Sequence, residues 1–202
     1  MKDEMDILRE VGSIAAGHGS IALSEILGTK IDVEMPSLDI VTTSRISQKI
    51  AANTVVISVA CNILSGLKGE IIFVLEEKSA FKLVDLCYRV HPDDKKGSRF
   101  TEMGLSVIKE VGNVIISSYV GALSMILKTI VIPSIPTLVS GSIQQSLNMV
   151  MAPYSKDANV LFAEAVFVEP NARINGSFYL ILTDEAMGYI QKACKKLLES
   201  LD

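Results

Sequence analysis

The sequence predicts an α+β fold: a largely antiparallel sheet with two long helices on one side, its halves related by a pseudo-twofold internal repeat. Three observations carry that prediction. The chain of 202 residues is 49% apolar and 21% charged, which suffices for one sizeable core and excludes a disordered chain. A shift of one hundred lays Glu10-Val11-Gly12 on Glu110-Val111-Gly112 and Ala22-Leu23-Ser24 on Ala122-Leu123-Ser124; Ile26, Leu27, Thr29, Pro36 and Leu38 fall on Ile126, Leu127, Thr129, Pro136 and Leu138. Within each copy, short strand-type runs are joined by turn residues, the pattern of consecutive antiparallel strands.

Taken in order, each copy begins with a helix, passes a proline, forms about three strands and closes on a shorter helix. Asn53 to Val90 reads as strand, a turn around Gly66 to Gly69, strand and helix, and Asn159 to Glu199 repeats this with a turn at Asn175 and Gly176. Copy one covers about residues 1–92 and copy two about 100–202, merged into a single domain over residues 1–202. His91 to Ser98, "HPDDKKGS", carries the turn and charge signals of an exposed connector. Ser140 to Asn159 is the least regular stretch, a helix or loop corresponding to Ser44 to Asn53 of the first copy.

The two long helices carry two faces each. In the second copy, Ile108, Val111, Ile115, Tyr119, Ala122 and Ile126 recur at steps of three and four, a stripe that packs on a core. Ser106, Glu110 and Asn113 form a second, polar stripe, and Asp6, Glu10 and Ser13 repeat its geometry in the first copy. Such a stripe on one helix alone is most often a wetted face. Here it recurs in the same register, and each copy has 22 residues between its last stripe position and a proline, Ser13 to Pro36 and Asn113 to Pro136. A solvated face has no need of that spacing.

Several chemistries lack support. A net charge of −4 without a basic run argues against a nucleic-acid groove or an anionic-membrane patch. Cys61, Cys87 and Cys194 are odd in number and far apart, as expected of reduced thiols in a cytoplasmic protein. The acidic start "MKDEMDILRE" does not read as a signal peptide. Val111 to Leu127 is uncharged, but its serines and Asn113 favour a buried helix over a membrane span. His18 and His91 have no partner at metal-ligand spacing, so no metal site is expected; the glycines flanking His18 suggest close helix packing or a bend. No phosphate-binding glycine loop, dinucleotide fingerprint or nucleophile elbow occurs.

The doubled motif resembles the signature of the CheC, CheX and FliY family of chemotaxis phosphatases: Asp or Ser, then Glu, then Asn, then a distant Pro. It is complete as Ser106, Glu110, Asn113 and Pro136; in the first copy it reads Asp6, Glu10 and Pro36, with Ser13 in place of the Asn. Two copies make CheC the nearest pattern. The resemblance implies hydrolysis of the aspartyl phosphate on the phosphorylated response regulator CheY, with Asn113 reaching the phosphoryl group and Glu110 contacting a lysine of the regulator. It implies no cofactor of the chain's own, since Mg²⁺ is expected on the regulator, and a possible second partner in the receptor deamidase CheD, for which Ser140 to Asn159 is a candidate surface. A hydroxyl is shorter than a carboxamide and offers one rotating donor, so the Ser13 site is expected to be weak or dead while Glu10 still docks. The runner-up is a weakly catalytic adaptor that binds phosphorylated CheY and CheD.

Overall fold

A long helix, α1 (Lys2–Leu27), opens the chain and is followed by β1 (Asp32–Thr42), a short helix α2 (Thr43–Lys49), the hairpin of β2 (Val55–Ser65) and β3 (Gly69–Glu76), and α3 (Glu77–Tyr88). The same order then runs again: α4 (Glu102–Leu127), an interrupted strand made of β4 (Ile132–Pro133) and β5 (Thr137–Ser142), α5 (Ile143–Met151), the hairpin of β6 (Asn159–Glu169) and β7 (Ile174–Thr183), and α6 (Asp184–Glu199). The structure is a computed structural model and describes residues 2–49, 54–88, 101–155, 157–171 and 174–199. The connector expected at His91 to Ser98 lies outside the described residues.

One sheet of seven strands runs β1-β6-β7-β3-β2-β4, with β5 also paired to β2. Every pairing among these strands is antiparallel. Each half lends its first strand to the other half's hairpin, β1 to β6 and β5 to β2, and the two hairpins meet where β3 pairs β7. Exchanging the halves therefore maps the strand order onto itself.

Side chains alternate across the sheet. Ile71, Phe73 and Leu75 of β3 join the core built with α1 and α4, whereas Ile72 and Val74 face a second core with Ile46 of α2 and Ile143, Leu147 and Val150 of α5. Helices α3 and α6 add Ala80, Leu83, Ala186, Met187 and Ile190 to the first core. The expectation that helices cover one side thus holds for the long pair, but α2 and α5 cover the other. The reason is in β3 itself: Ile71 to Leu75 is an unbroken apolar run, the mark of a strand buried on both faces. Among the polar residues on that second face, Ser58 of β2 and Ser146 of α5 are fully buried and hydrogen-bonded to each other at 3.0 Å.

The turn residues divide. Gly66 sits at φ +84, where a Cβ would run into the Ile130 carbonyl, so the first hairpin turns where expected. Asn175 and Gly176 do not form the second turn; both lie inside β7, paired with Val168 and Phe167. A Cβ on Gly176 would come within 3.0 Å of Leu75 Cδ2 and of Phe73 Cε2. That glycine makes room for an aromatic ring rather than bending the chain.

Candidate functional site

The two motif helices lie side by side on the first face of the sheet, and the residues that repeat between them are the ones that hold them there. Helix α4 starts on Thr101, whose Oγ1 accepts from the Gly104 N–H at 3.1 Å. It ends with Lys128 at φ 49, the Lys128 and Thr129 amides bonding back to Met125 and Ser124 carbonyls. The chain reversal after each helix is closed by a serine: Ser24 Oγ accepts from Ile31 N at 3.1 Å, and Ser124 Oγ from Val131 N at 3.0 Å. This accounts for the repeated Ala-Leu-Ser.

The repeated Glu-Val-Gly has a packing reason too. A Cβ on Gly112 would lie 2.7 Å from the Val59 Cβ on β2, and a Cβ on Gly12 would run into Met35 of β1. Both glycines let a motif helix approach a strand closely. Beyond them, Ile108, Val111, Ile115, Ile116, Tyr119, Val120, Ala122 and Leu123 are buried, and Ile126 only half-buried. The helix is long and apolar enough to cross a membrane by length and composition, and here its apolar flanks pack on α1 and the sheet.

The polar stripe of α4 faces outward. Glu110 is exposed and Asn113, one turn on, is half-buried. Among the described residues neither side chain has a hydrogen-bond or ion-pair partner, so a carboxylate and a carboxamide are presented together on one face. Ser106 donates to the Glu102 carbonyl at 2.9 Å and is thereby tied to its own helix.

The first copy differs. Glu10 and Ser13 are exposed, Asp6 pairs with Arg9 at 3.5 Å, and the Ser13 hydroxyl donates to the Met35 sulfur at 3.6 Å. Met35, between Gly12 and Ser13 on one side and Pro36 on the other, was not legible as a site neighbour from the sequence. The only signal was its position beside the motif proline.

Both prolines interrupt a strand that pairs at the sheet's margin. Pro36 lies in β1 where its register against β6 shifts between Glu34 and Ser37. Pro136 lies between β4 and β5, where Ser134 bridges to β2: its N–H donates to the Asn62 carbonyl at 2.7 Å and its Oγ accepts from Asn62 N at 3.0 Å. Proline belongs at such breaks, because it has no N–H for the ladder.

His18 is exposed on α1; Gly19 packs on Ile115 and Phe167, but Gly17 has open space, so close packing explains one flanking glycine and not the other. Among the described residues no group of three His, Cys, Asp or Glu stands where it could hold a metal ion. Cys61 is free and buried, and burial, with Glu70 nearby, pushes its thiol up to about 11, away from nucleophilic chemistry.

The CheC-like family model matches residues 103–140, the segment that carries Ser106, Glu110, Asn113 and Pro136 and not their counterparts in the first copy. Over that segment the chain is similar to the CheC-like family. It is 29% identical over 136 residues to the CheY-P phosphatase CheC of Bacillus subtilis (strain 168), covering 67% of this chain and 65% of that relative. The chain thus spans a little under two thirds of the relative's length. In fold, it resembles FliY of Thermotoga maritima with a TM-score of 0.77 at 21% identity, covering 97% and 98% of the two chains. The FliM middle domain from H. pylori follows at 0.68 and 12%, covering 96% and 99%. A structure of the CheX-CheY-BeF3-Mg complex from Borrelia burgdorferi matches at 0.57 and 19%, covering 87% and 97%. At these identities, the CheC-type fold is what is shared, and a fold does not by itself carry an activity.

Proposed function

We propose that this protein is a phosphatase that hydrolyses the aspartyl phosphate of the phosphorylated response regulator CheY, acting mainly from the second motif. The observation that carries the reading is the pair on α4: an exposed Glu110 and a half-buried Asn113, one turn apart on one face and neither engaged among the described residues. The name of the Bacillus subtilis relative and the CheX–CheY complex support CheY as the partner.

The chemistry asks little of the chain. An acyl phosphate is already activated, and Mg²⁺ is expected on the regulator, so the missing component is a water held in line with the phosphorus. A carboxamide both donates and accepts, so Asn113 can orient that water, as a glutamine does in GTPases. The water oxygen bonds to phosphorus as the bond to the aspartate oxygen breaks, leaving a free carboxylate and inorganic phosphate. Glu110, exposed and unpaired among the described residues, acts as the docking group that a lysine of the regulator meets, which sets register and partner choice.

The second reading is an adaptor with residual catalysis that binds phosphorylated CheY and CheD. Its support is the first site, where a serine replaces the carboxamide and already donates to Met35. The decay of phosphorylated CheY with Mg²⁺ present separates the two. Acceleration by the wild type, lost by about 10²-fold in Asn113→Ala, supports the phosphatase. Unchanged decay with a regulator that demonstrably binds would leave the adaptor. Glu110→Lys is expected to raise KM far more than it lowers kcat, the pattern of lost docking.

A further inference from the structure

We propose that the groove between the C-terminal end of α4 and helix α6 is a docking site for an acidic segment of a partner protein that carries an apolar side chain. The groove has a volume of about 390 Å³, and its apolar floor is Ile126, Leu127 and Ala193, with Tyr189 on one wall. Three lysines, Lys128, Lys192 and Lys196, line it and are exposed. Among the described residues none of the three is in an ion pair. In a chain with a net charge of −4, this is a local concentration of the minority sign.

Two features of the groove work against stability and are explained by an acidic occupant. Lys192 and Lys196 stand one helical turn apart on α6, a like-charge pair that repels. Lys128 adopts φ 49 and is the one non-glycine at positive φ among the described residues. A side chain there is strained where glycine is not, and such outliers gather at binding sites. The position one hundred residues earlier holds Gly28 at φ 64, so the helix end itself has no need of lysine. A shift of 107 likewise places Asp85 where Lys192 stands. A glycine and an aspartate thus stand in the first copy where two of the three lysines stand in the second.

The chemistry of the walls selects among anions. The groove's lining residues include no arginine fork and it offers no cradle of backbone N–H groups, which disfavours a compact phosphate. Long lysine stems over an apolar floor suit carboxylates spaced along a peptide, with one apolar side chain seated between them.

The test uses the full chain and a fluorescein-labelled heptapeptide of glutamates around one central leucine, with anisotropy and thermal unfolding read on the same samples. The peptide is expected to bind and to weaken as salt rises. Lys128→Gly and Lys192→Glu are each expected to weaken it about tenfold while raising Tm by about 2 °C, because each relieves a strain that binding exploits. Lys78→Glu, at an exposed position of α3, is expected to leave binding unchanged. Binding and Tm falling together would assign the lysines to structure and overturn the proposal. So would undiminished binding in Lys192→Glu, or pyrophosphate binding where the peptide does not. Dephosphorylation of CheY is expected to be unchanged in all three variants, so this proposal and the phosphatase reading fail separately.

Discussion

Asn113 and Ser13 hold corresponding positions on α4 and α1, and their surroundings differ in a way that substitution can read. The Asn113 carboxamide is half-buried and bonded to nothing among the described residues, so Asn113→Ala is expected to change unfolding free energy by no more than about 0.5 kcal/mol. A large fall in phosphatase rate at unchanged stability, measured by urea unfolding beside the CheY decay assay, would mark it as functional. Ser13 is occupied by Met35 at 3.6 Å. Ser13→Asn is therefore expected to gain less activity alone than together with Met35→Ala, which clears the space a carboxamide needs. Equal rates for the single and double variants would show that Met35 does not gate the first site.

At the scale of elements, what positions each site is a glycine against a strand. A Cβ on Gly112 would lie 2.7 Å from the β-branched, strand-bound Val59, whereas one on Gly12 would meet the flexible end of Met35. Gly112→Ala is expected to destabilise the protein by about 1–3 kcal/mol and Gly12→Ala by clearly less, since a methionine can swing aside and a valine cannot. Thermal unfolding of the two variants checks the asymmetry. Helix α5 is pinned differently: Ser142 and Gln145 form a capping box at its start, and Ser146 meets Ser58 at 3.0 Å in a fully buried contact. Ser146→Ala leaves the Ser58 hydroxyl without its partner and is expected to cost about 1–3 kcal/mol; the Ser58→Ala/Ser146→Ala pair should cost less than the sum of the singles in a double-mutant cycle.

For the whole molecule, the sheet interior sets a pH dependence. Glu70 on β3 is 7% exposed, its Oε2 has no hydrogen-bond partner, and burial pushes its carboxyl from 4.5 up to about 7. The folded state therefore keeps the proton to higher pH than the unfolded chain does. Its contribution to stability is full below about 4.5, declines as pH rises, and is lost above about 7. The span is about 2 kcal/mol once the side chain's residual solvent contact is allowed for. Unfolding free energies from pH 5 to 8 are expected to fall in the wild type and to flatten in Glu70→Gln, with the variant the more stable at pH 8. A wild type whose stability rises over that interval would contradict the assignment.

The motif residues and both long helices were legible because local rules place them. Glu110 and Asn113 share a face by helical periodicity, and the Ala-Leu-Ser and Glu-Val-Gly pairs repeat because each meets the same local demand twice, a hydroxyl to close a chain reversal or a missing Cβ to admit a strand. The antiparallel hairpins followed from the same kind of reading, as Gly66 at its turn shows. Where the reading went wrong, a residue answered to something distant in sequence: Gly176 yields to Phe73 across the sheet, and α2 and α5 settle on the face that the apolar run of β3 leaves to be covered. By itself the sequence determined the long helices, the hairpins and closing helices, their order and the residues of the polar stripes, since these depend on neighbours a few positions apart. Only the tertiary structure decided that β1 pairs β6 and β5 pairs β2, that Met35 occupies Ser13, that Glu70 is buried without a partner, and that Lys128 faces Lys192 and Lys196 across a groove. Each of these rests on contacts between segments far apart along the chain, which periodicity and spacing do not encode.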